Sequence, residues 1–128
     1  MLPTELPTGT LHIQGEGQPI DFVFPDGGNA RNIISQVFSG AEYPIFQVPN
    51  YQPAVIVDIG ANVGAATTFF SFVFPDCPIH CFEPSPASFA YLQKNIVSRP
   101  KIRAHNVGLW NRDMQSRLYT GRHRLSTS

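Results

Sequence analysis

Charge is what this chain has least of. Asp, Glu, Lys and Arg make up only 14% of its 128 residues, and nine acids balance nine Lys and Arg. A nucleic-acid reader needs basic residues gathered on one face. The only basic drift here is near the end, at Arg112, Arg117, Arg122 and Arg124 with His123 among them, and it reads as a solvated tail. No nucleic-acid partner is expected. Cysteine is also scarce: Cys77 and Cys81 cannot frame a disulfide-stapled domain. No run approaches the ~20 apolar residues of a membrane span. The opening MLPTELPTGT lacks both the basic and the apolar region of a secretory leader. No membrane contact is expected, and the cytoplasm is the expected compartment. Internal repeats and low-complexity tracts are lacking too.

What is present is apolar material, 42% of the chain, enough for the core of a single domain. Residues 1–52 read as a small N-terminal extension. Leu11–Ile13 and Ile20–Phe24 are short β-like runs with Gly15 and Gly17 between them, the pattern of a hairpin. After the turn Pro25-Asp26-Gly27-Gly28, Asn29 is placed to cap a short helix with Ile33, Ile34, Val37 and Phe38 on its apolar face. Gly40 ends it.

The character changes at Pro53, and residues 53–128 read as a second unit. Ala54–Val57 is a continuous apolar run, as expected for a central parallel strand covered on both faces. A turn follows, then a helix with Ala66, Phe69, Phe70 and Val73 at i, i+3, i+4 and i+7. Ile79–Phe82 is a second buried strand. Ser85 is an N-cap with Pro86 at the first helical position, and Phe89, Leu92 and Ile96 form the next apolar stripe. Ile102–Val107 is a third strand. A final hairpin is expected from Leu109-Trp110 through Asn111–Asp113 to Leu118-Tyr119. Alternating strands and helices imply an α/β, Rossmann-like, doubly wound parallel sheet, here partial, with right-handed crossovers.

The chemistry centres on Asp58-x-Gly60-x-Asn62-x-Gly64, between the first strand and its helix. Glycine permits positive φ and a close ligand, and Asn is the best substitute for a left-handed residue. The helix beyond presents free backbone N–H groups. Glu83 ends the next strand, 19 residues past Gly64. Strand ends line the ligand crevice of such a sheet, and an acid there can accept both hydroxyls of a ribose. A lone glycine turn is a weak signal; the turn together with the acid is a strong one. The plainer reading, a tight connection and a surface carboxylate, leaves both positions unexplained. A dinucleotide alignment, Gly60-x-Asn62-x-x-Ala65, can be forced, and it would make the chain a nicotinamide-dependent oxidoreductase. Asp58 opposes that, because a carboxylate beside a pyrophosphate costs about 1 kcal/mol or more. A ligand with a sulfonium and an ammonium suits an acidic turn better.

Residues 55–96, VIVDIGANVGAATTFFSFVFPDCPIHCFEPSPASFAYLQKNI, resemble the opening of the class I S-adenosylmethionine-dependent methyltransferases, most of all the FkbM-like family. The DIGANVG turn, the FEPSPASFAYLQKN segment with Leu92 and Asn95, and the looser HNVGLWNRD segment carry the resemblance, which runs from about residue 20 to 120. It implies S-adenosylmethionine as cofactor. Asp58, Gly60, Asn62 and Gly64, with Ala61 among them, would wrap the methionine part. Glu83 would hold the ribose, Pro84 would lie near the adenine, and Asn106, Val107 and Gly108 would help form its pocket. The family usually methylates a hydroxyl of a sugar or small natural product, so a small-molecule acceptor is implied. The family's domain continues through several more strands, whereas this chain ends in GRHRLSTS. The resemblance therefore implies a cofactor-binding fragment with no catalytic residue assigned. A catalytically silent binding module is the alternative. An unpaired sheet edge is expected to promote self-association.

Other candidates are weaker. Cys77, His80, Cys81 and His105 lack ordinary zinc spacing, and His80 and Cys81 fall on opposite faces of a strand, so no metal is expected. His105 could serve as a base, but the sequence supplies it no partner, and a histidine at the edge of the core is the simpler reading. Phe69, Phe70, Phe72 and Phe74 read as helix-to-sheet packing, and packing is also the expectation for Trp110.

Overall fold

The computed structural model describes residues 6–15, 19–44, 49–110 and 115. The expected hairpin beyond Trp110 and the basic drift near the end lie outside those residues.

The N-terminal part is built on alternation. Strands β1 (Thr8–Ile13) and β2 (Ile20–Pro25) pair antiparallel, with Thr8 opposite Pro25 and Ile13 opposite Ile20. Every second residue of β2 points inward, so Phe22 and Phe24 are fully buried. Gly9 makes room for the second ring: a Cβ there would come within 2.7 Å of Phe24 Cζ. Helix α1 (Ala30–Phe38) lays Ala30 and Ile34 onto this core and buries Val37 against Ala66 and Phe69, with Phe38 edge-on to Phe22 at 5.2 Å. Asn29 occupies the N-cap position without capping. Its side chain makes no bond to the helix backbone and accepts instead from Asn32 Nδ2 at 2.8 Å. Gly40 leaves the helix at φ 83°, as expected.

The second unit holds three parallel strands in the order β3 (Ile56–Ile59), β4 (Ile79–Phe82), β5 (Ile102–His105). Helix α2 (Ala65–Val73) joins the first two and α3 (Pro86–Ile96) the last two. Ser85 caps α3 through its hydroxyl, which accepts from the Ser88 N–H, and Pro86 begins the helix. The fold is α/β and Rossmann-like, as expected.

The sheet departs from expectation in one respect. Its core lies on one face only, where Ile79, Cys81, Leu92 and Ile102 are buried with Ile56, Phe70, Phe89 and Ile96 packed around them. The other face carries Val55, Val57 and Ile59, which are 51%, 54% and 60% exposed. Among the described residues helices cover one side, so this is half of a doubly wound arrangement. Among the described residues β3 lies at the edge of the sheet, the unpaired edge expected of a partial fold. A continuous apolar run tells that both faces avoid water, not what covers them. The third strand stops at His105, two residues before the expected end.

The extension and the sheet share a core. Val63, from the turn after β3, is buried with Phe22, Phe24, Ala30 and Ile34, while Tyr91 of α3 packs against the same cluster. The Tyr91 hydroxyl meets Thr8 Oγ1 at 3.1 Å. No helix among the described residues is long and apolar enough to cross a membrane.

Candidate cofactor site

The chain must turn from β3 into α2 within a few residues, and it does so through three left-handed positions: Gly60 at φ 74°, Asn62 at φ 55° and Gly64 at φ 95°. These are the three positions singled out from the sequence. The Gly60 and Ala61 N–H groups both donate to the Phe82 carbonyl at 2.9 Å, so the turn hangs from the end of β4. Gly64 meets α3, and a Cβ there would stand 2.6 Å from Leu92 Cδ1. Leu92 itself is fully buried.

Glu83 joins the two strand ends. Its side chain is buried; Oε1 accepts from the Asn62 N–H at 2.7 Å and Oε2 from the Ser85 N–H at 2.8 Å. An ionised carboxylate has about four acceptor sites, so two remain for other donors. Asp58 is buried at the end of β3, where Thr67 Oγ1 donates to its Oδ2 at 2.6 Å. Burial pushes its carboxyl above the usual carboxylate range; the Thr67 hydroxyl acts against this and the charge of Glu83 adds to it. Burial likewise raises the Tyr43 phenol, with smaller contributions from the charges of Asp58 and Glu42.

The end of β5 closes the group. Asn106 Nδ2 donates to the Glu83 carbonyl at 2.8 Å and to that of Pro84 at 3.2 Å. Gly108 lies over Pro84, 3.6 Å separating its Cβ direction from Pro84 Cβ. Val107 is exposed beside them. The structure thus brings Asp58, Gly60–Gly64, Glu83, Pro84, Asn106 and Gly108 to one end of the sheet. An apolar groove of about 600 Å³ lies elsewhere, against the start of β3, and none of these residues lines it.

Among the described residues neither carboxylate has a cation. Among the described residues the ion pairs are His12 with Asp21 and Arg31 with Asp26, both on the N-terminal part. Two acids are therefore held close together with no basic side chain among the described residues to balance them, an arrangement that costs free energy unless a ligand offsets it.

Two supporting residues were not apparent in the sequence. Thr67 has the look of a helix-interior packing residue, yet it holds Asp58. Asn95, present in the motif, reaches both the turn and the hairpin. Trp110 is 74% exposed rather than packed. Of the Phe residues expected to pack helix against sheet, Phe70 does so, whereas Phe69 is buried with Val37 of α1, Phe72 meets Phe38 at 5.9 Å and Phe74 meets Tyr51 at 5.8 Å. The zinc reading stays unsupported, since no three metal-binding side chains cluster among the described residues. Cys81 is buried on the covered face and its thiol is pushed up to about 11 by burial. His80 Nδ1 lies 3.5 Å from His105 Nε2, and the His105 ring stacks on Phe82.

Comparison with known proteins bears on this site. Over 83 residues the chain is 31% identical to methyltransferase 1 of Beauveria bassiana, covering 63% of this chain and 32% of that protein. Over 72 residues it is 32% identical to 31-O-demethyl-FK506 methyltransferase FkbM of Streptomyces tacrolimicus, covering 56% and 28%. The chain is similar to FkbM-type methyltransferases. It spans about a third of the length of these curated relatives. No family model matches the chain. Among solved structures, a proposed transferase of Pyrococcus horikoshii aligns over 77% of this chain and 36% of its own at 15% identity, with a TM-score of 0.49. The precorrin-6y C5,15-methyltransferase of Geobacter metallireducens aligns over 58% and 36% at 16% identity, with a TM-score of 0.43.

Proposed function

We propose that this chain binds S-adenosylmethionine at the β3–α2 turn and serves methyl transfer to a hydroxyl of a sugar or another small molecule. The observation that carries this reading is the pair of buried carboxylates, Asp58 and Glu83, flanking a left-handed turn with no cation among the described residues. The residues fit the cofactor. Asp58 beside Gly60, Asn62 and Gly64 offers negative charge to its ammonium and sulfonium. Glu83, with acceptor sites left over, offers them to two ribose hydroxyls. Pro84, Asn106 and Gly108 supply the adjoining wall for the adenine.

Bound S-adenosylmethionine supplies an activated methyl group on a sulfonium. The chain's part is to orient that group and keep water from it. A base for the acceptor hydroxyl would add rate, and none is assigned here. A nicotinamide dinucleotide is the second reading, and Asp58 opposes it because its carboxylate stands where a pyrophosphate would approach.

Calorimetry with S-adenosylhomocysteine and with NAD separates the two. The expected result is binding of the first and none of the second; the reverse would end the methyltransferase reading. Transfer of labelled methyl to sugar or polyketide hydroxyls then tests the reaction itself.

A further inference from the structure

Asn95 is buried on the inner face of α3, one turn from Leu92. Three backbone groups converge on its side-chain amide. Nδ2 donates to the Val63 carbonyl at 2.8 Å and to the Val23 carbonyl at 2.9 Å, while Oδ1 accepts from the Val23 N–H at 2.8 Å. Val23 belongs to β2 and lies 72 residues away in sequence; Val63 belongs to the turn, between Asn62 and Gly64. Val23 sits in the middle of β2, opposite Thr10. One amide therefore satisfies both backbone groups of a strand residue and one carbonyl of the left-handed turn. No other residue type offers two donors and an acceptor from so short a side chain. Leu92, three residues earlier and so on the same helix face, fills the space under Gly64.

We propose that Asn95 is a positioning residue for the cofactor, clamping the β3–α2 turn to the N-terminal hairpin so that Asn62 and Glu83 are held ready for the ligand. The proposal rests on the S-adenosylmethionine reading of the site. It makes Val23 of β2 part of the binding apparatus through its backbone. Asn62, a non-glycine residue at φ 55°, is costly to hold in place unless the surroundings fix it. Val63 is fixed twice, by its side chain in the hairpin core and by its carbonyl on Asn95.

The test uses the whole chain with Asn95→Asp and Asn95→Leu. The aspartate keeps the acceptor for Val23 and loses both donors; the leucine loses all three bonds. Ile102→Ala, in the core at the start of β5 and so at the end of the sheet away from the turn, controls for simple loss of stability. The expected result is S-adenosylhomocysteine binding at least tenfold weaker in Asn95→Asp, with binding unchanged in Ile102→Ala at a comparable melting temperature. Amide exchange should quicken selectively at residues 60–64 in both Asn95 variants, with β4–β5 amides still protected. Unchanged affinity in a folded Asn95→Asp, or exchange that quickens evenly across the chain, overturns the proposal. Failure of the wild-type chain to bind S-adenosylhomocysteine would instead count against the cofactor reading. The exchange pattern, which needs no ligand, would still support or overturn the clamp.

Discussion

The Asn62 backbone N–H donates to the Glu83 carboxylate at 2.7 Å, tying the loop after one strand to the end of the next across 21 residues of sequence. The acid proposed to receive a ribose is therefore already aimed by the turn proposed to receive the methionine. The other oxygen of Glu83 holds the Ser85 N–H, which starts α3. Binding and architecture meet in this one side chain.

Glu83→Ala should weaken S-adenosylhomocysteine binding by about 1–3 kcal/mol, because two ligand hydroxyls lose a charged acceptor. Glu83→Gln keeps one acceptor for a backbone N–H and should fall between the two. Calorimetry on folded variants reads this directly. Wild-type affinity in Glu83→Ala would place the ribose elsewhere.

The turn gives a second test. Gly60→Val should abolish cofactor binding while circular dichroism still reports the helices, since a β-branched residue tolerates neither φ 74° nor a ligand against the backbone. Gly64→Ala should act on stability instead. Its φ of 95° is strained for alanine, and the added methyl would stand 2.6 Å from Leu92 Cδ1. A loss of about 1–3 kcal/mol is expected from strain of this kind. Adding Leu92→Val should recover the steric part only, which a double-mutant cycle on thermal melts would reveal.

Much of this was legible in the sequence, for a physical reason. Positive φ restricts residue type sharply, so Gly60, Asn62 and Gly64 announce their own conformation. Ser85-Pro86 does the same for a helix start. Contacts between distant segments leave no such trace. Nothing local distinguishes Thr67 from a packing threonine, nor Asn95 from a surface amide at the end of a helix. Asn29 shows the limit of local rules: it stands at the cap position, but the neighbouring Asn32 takes its side chain. The apolar run at Ala54–Val57 suggested cover on both faces, yet Val55 and Val57 are more than half exposed, because composition does not supply the second layer.

Asp58 predicts a trade between stability and binding. Its folded carboxyl titrates above the ordinary range, chiefly because it is buried. The folded state thus holds a proton to higher pH than the unfolded chain. The stabilisation is full below the unfolded pKa and is lost as pH rises through the folded one. Asp58→Asn removes that loss, so the ligand-free variant should melt no lower than wild type at neutral pH, and its melting temperature should fall less between acidic and neutral buffer. The same variant should bind S-adenosylhomocysteine poorly, having lost the charge facing the ammonium. For wild type, affinity should rise with pH as Asp58 ionises. A destabilised Asp58→Asn that still binds normally would show that this carboxylate is structural.

The open side of the sheet carries the last prediction. β3 has β4 on one edge and, among the described residues, no strand on the other. Its Val55, Val57 and Ile59 are more than half exposed, and the 600 Å³ groove lined by Tyr51, Pro53, Val55, Val57, Phe70 and Phe74 continues that apolar surface. An unpaired strand offers a row of backbone donors and acceptors, and apolar neighbours add a reason to cover it. The 128-residue chain should therefore associate with itself at micromolar concentration, and more so as salt strengthens apolar burial. Sedimentation velocity over a range of concentrations would detect this. Val57→Lys places a charge on the exposed face without touching the covered one, so it should shift the distribution toward monomer and leave S-adenosylhomocysteine affinity intact. A wild-type chain that sediments as a single monomer at every concentration, with a sharp thermal transition and measurable methyl transfer, would mean that residues of this same chain cover β3 and that the exposed face is not a liability.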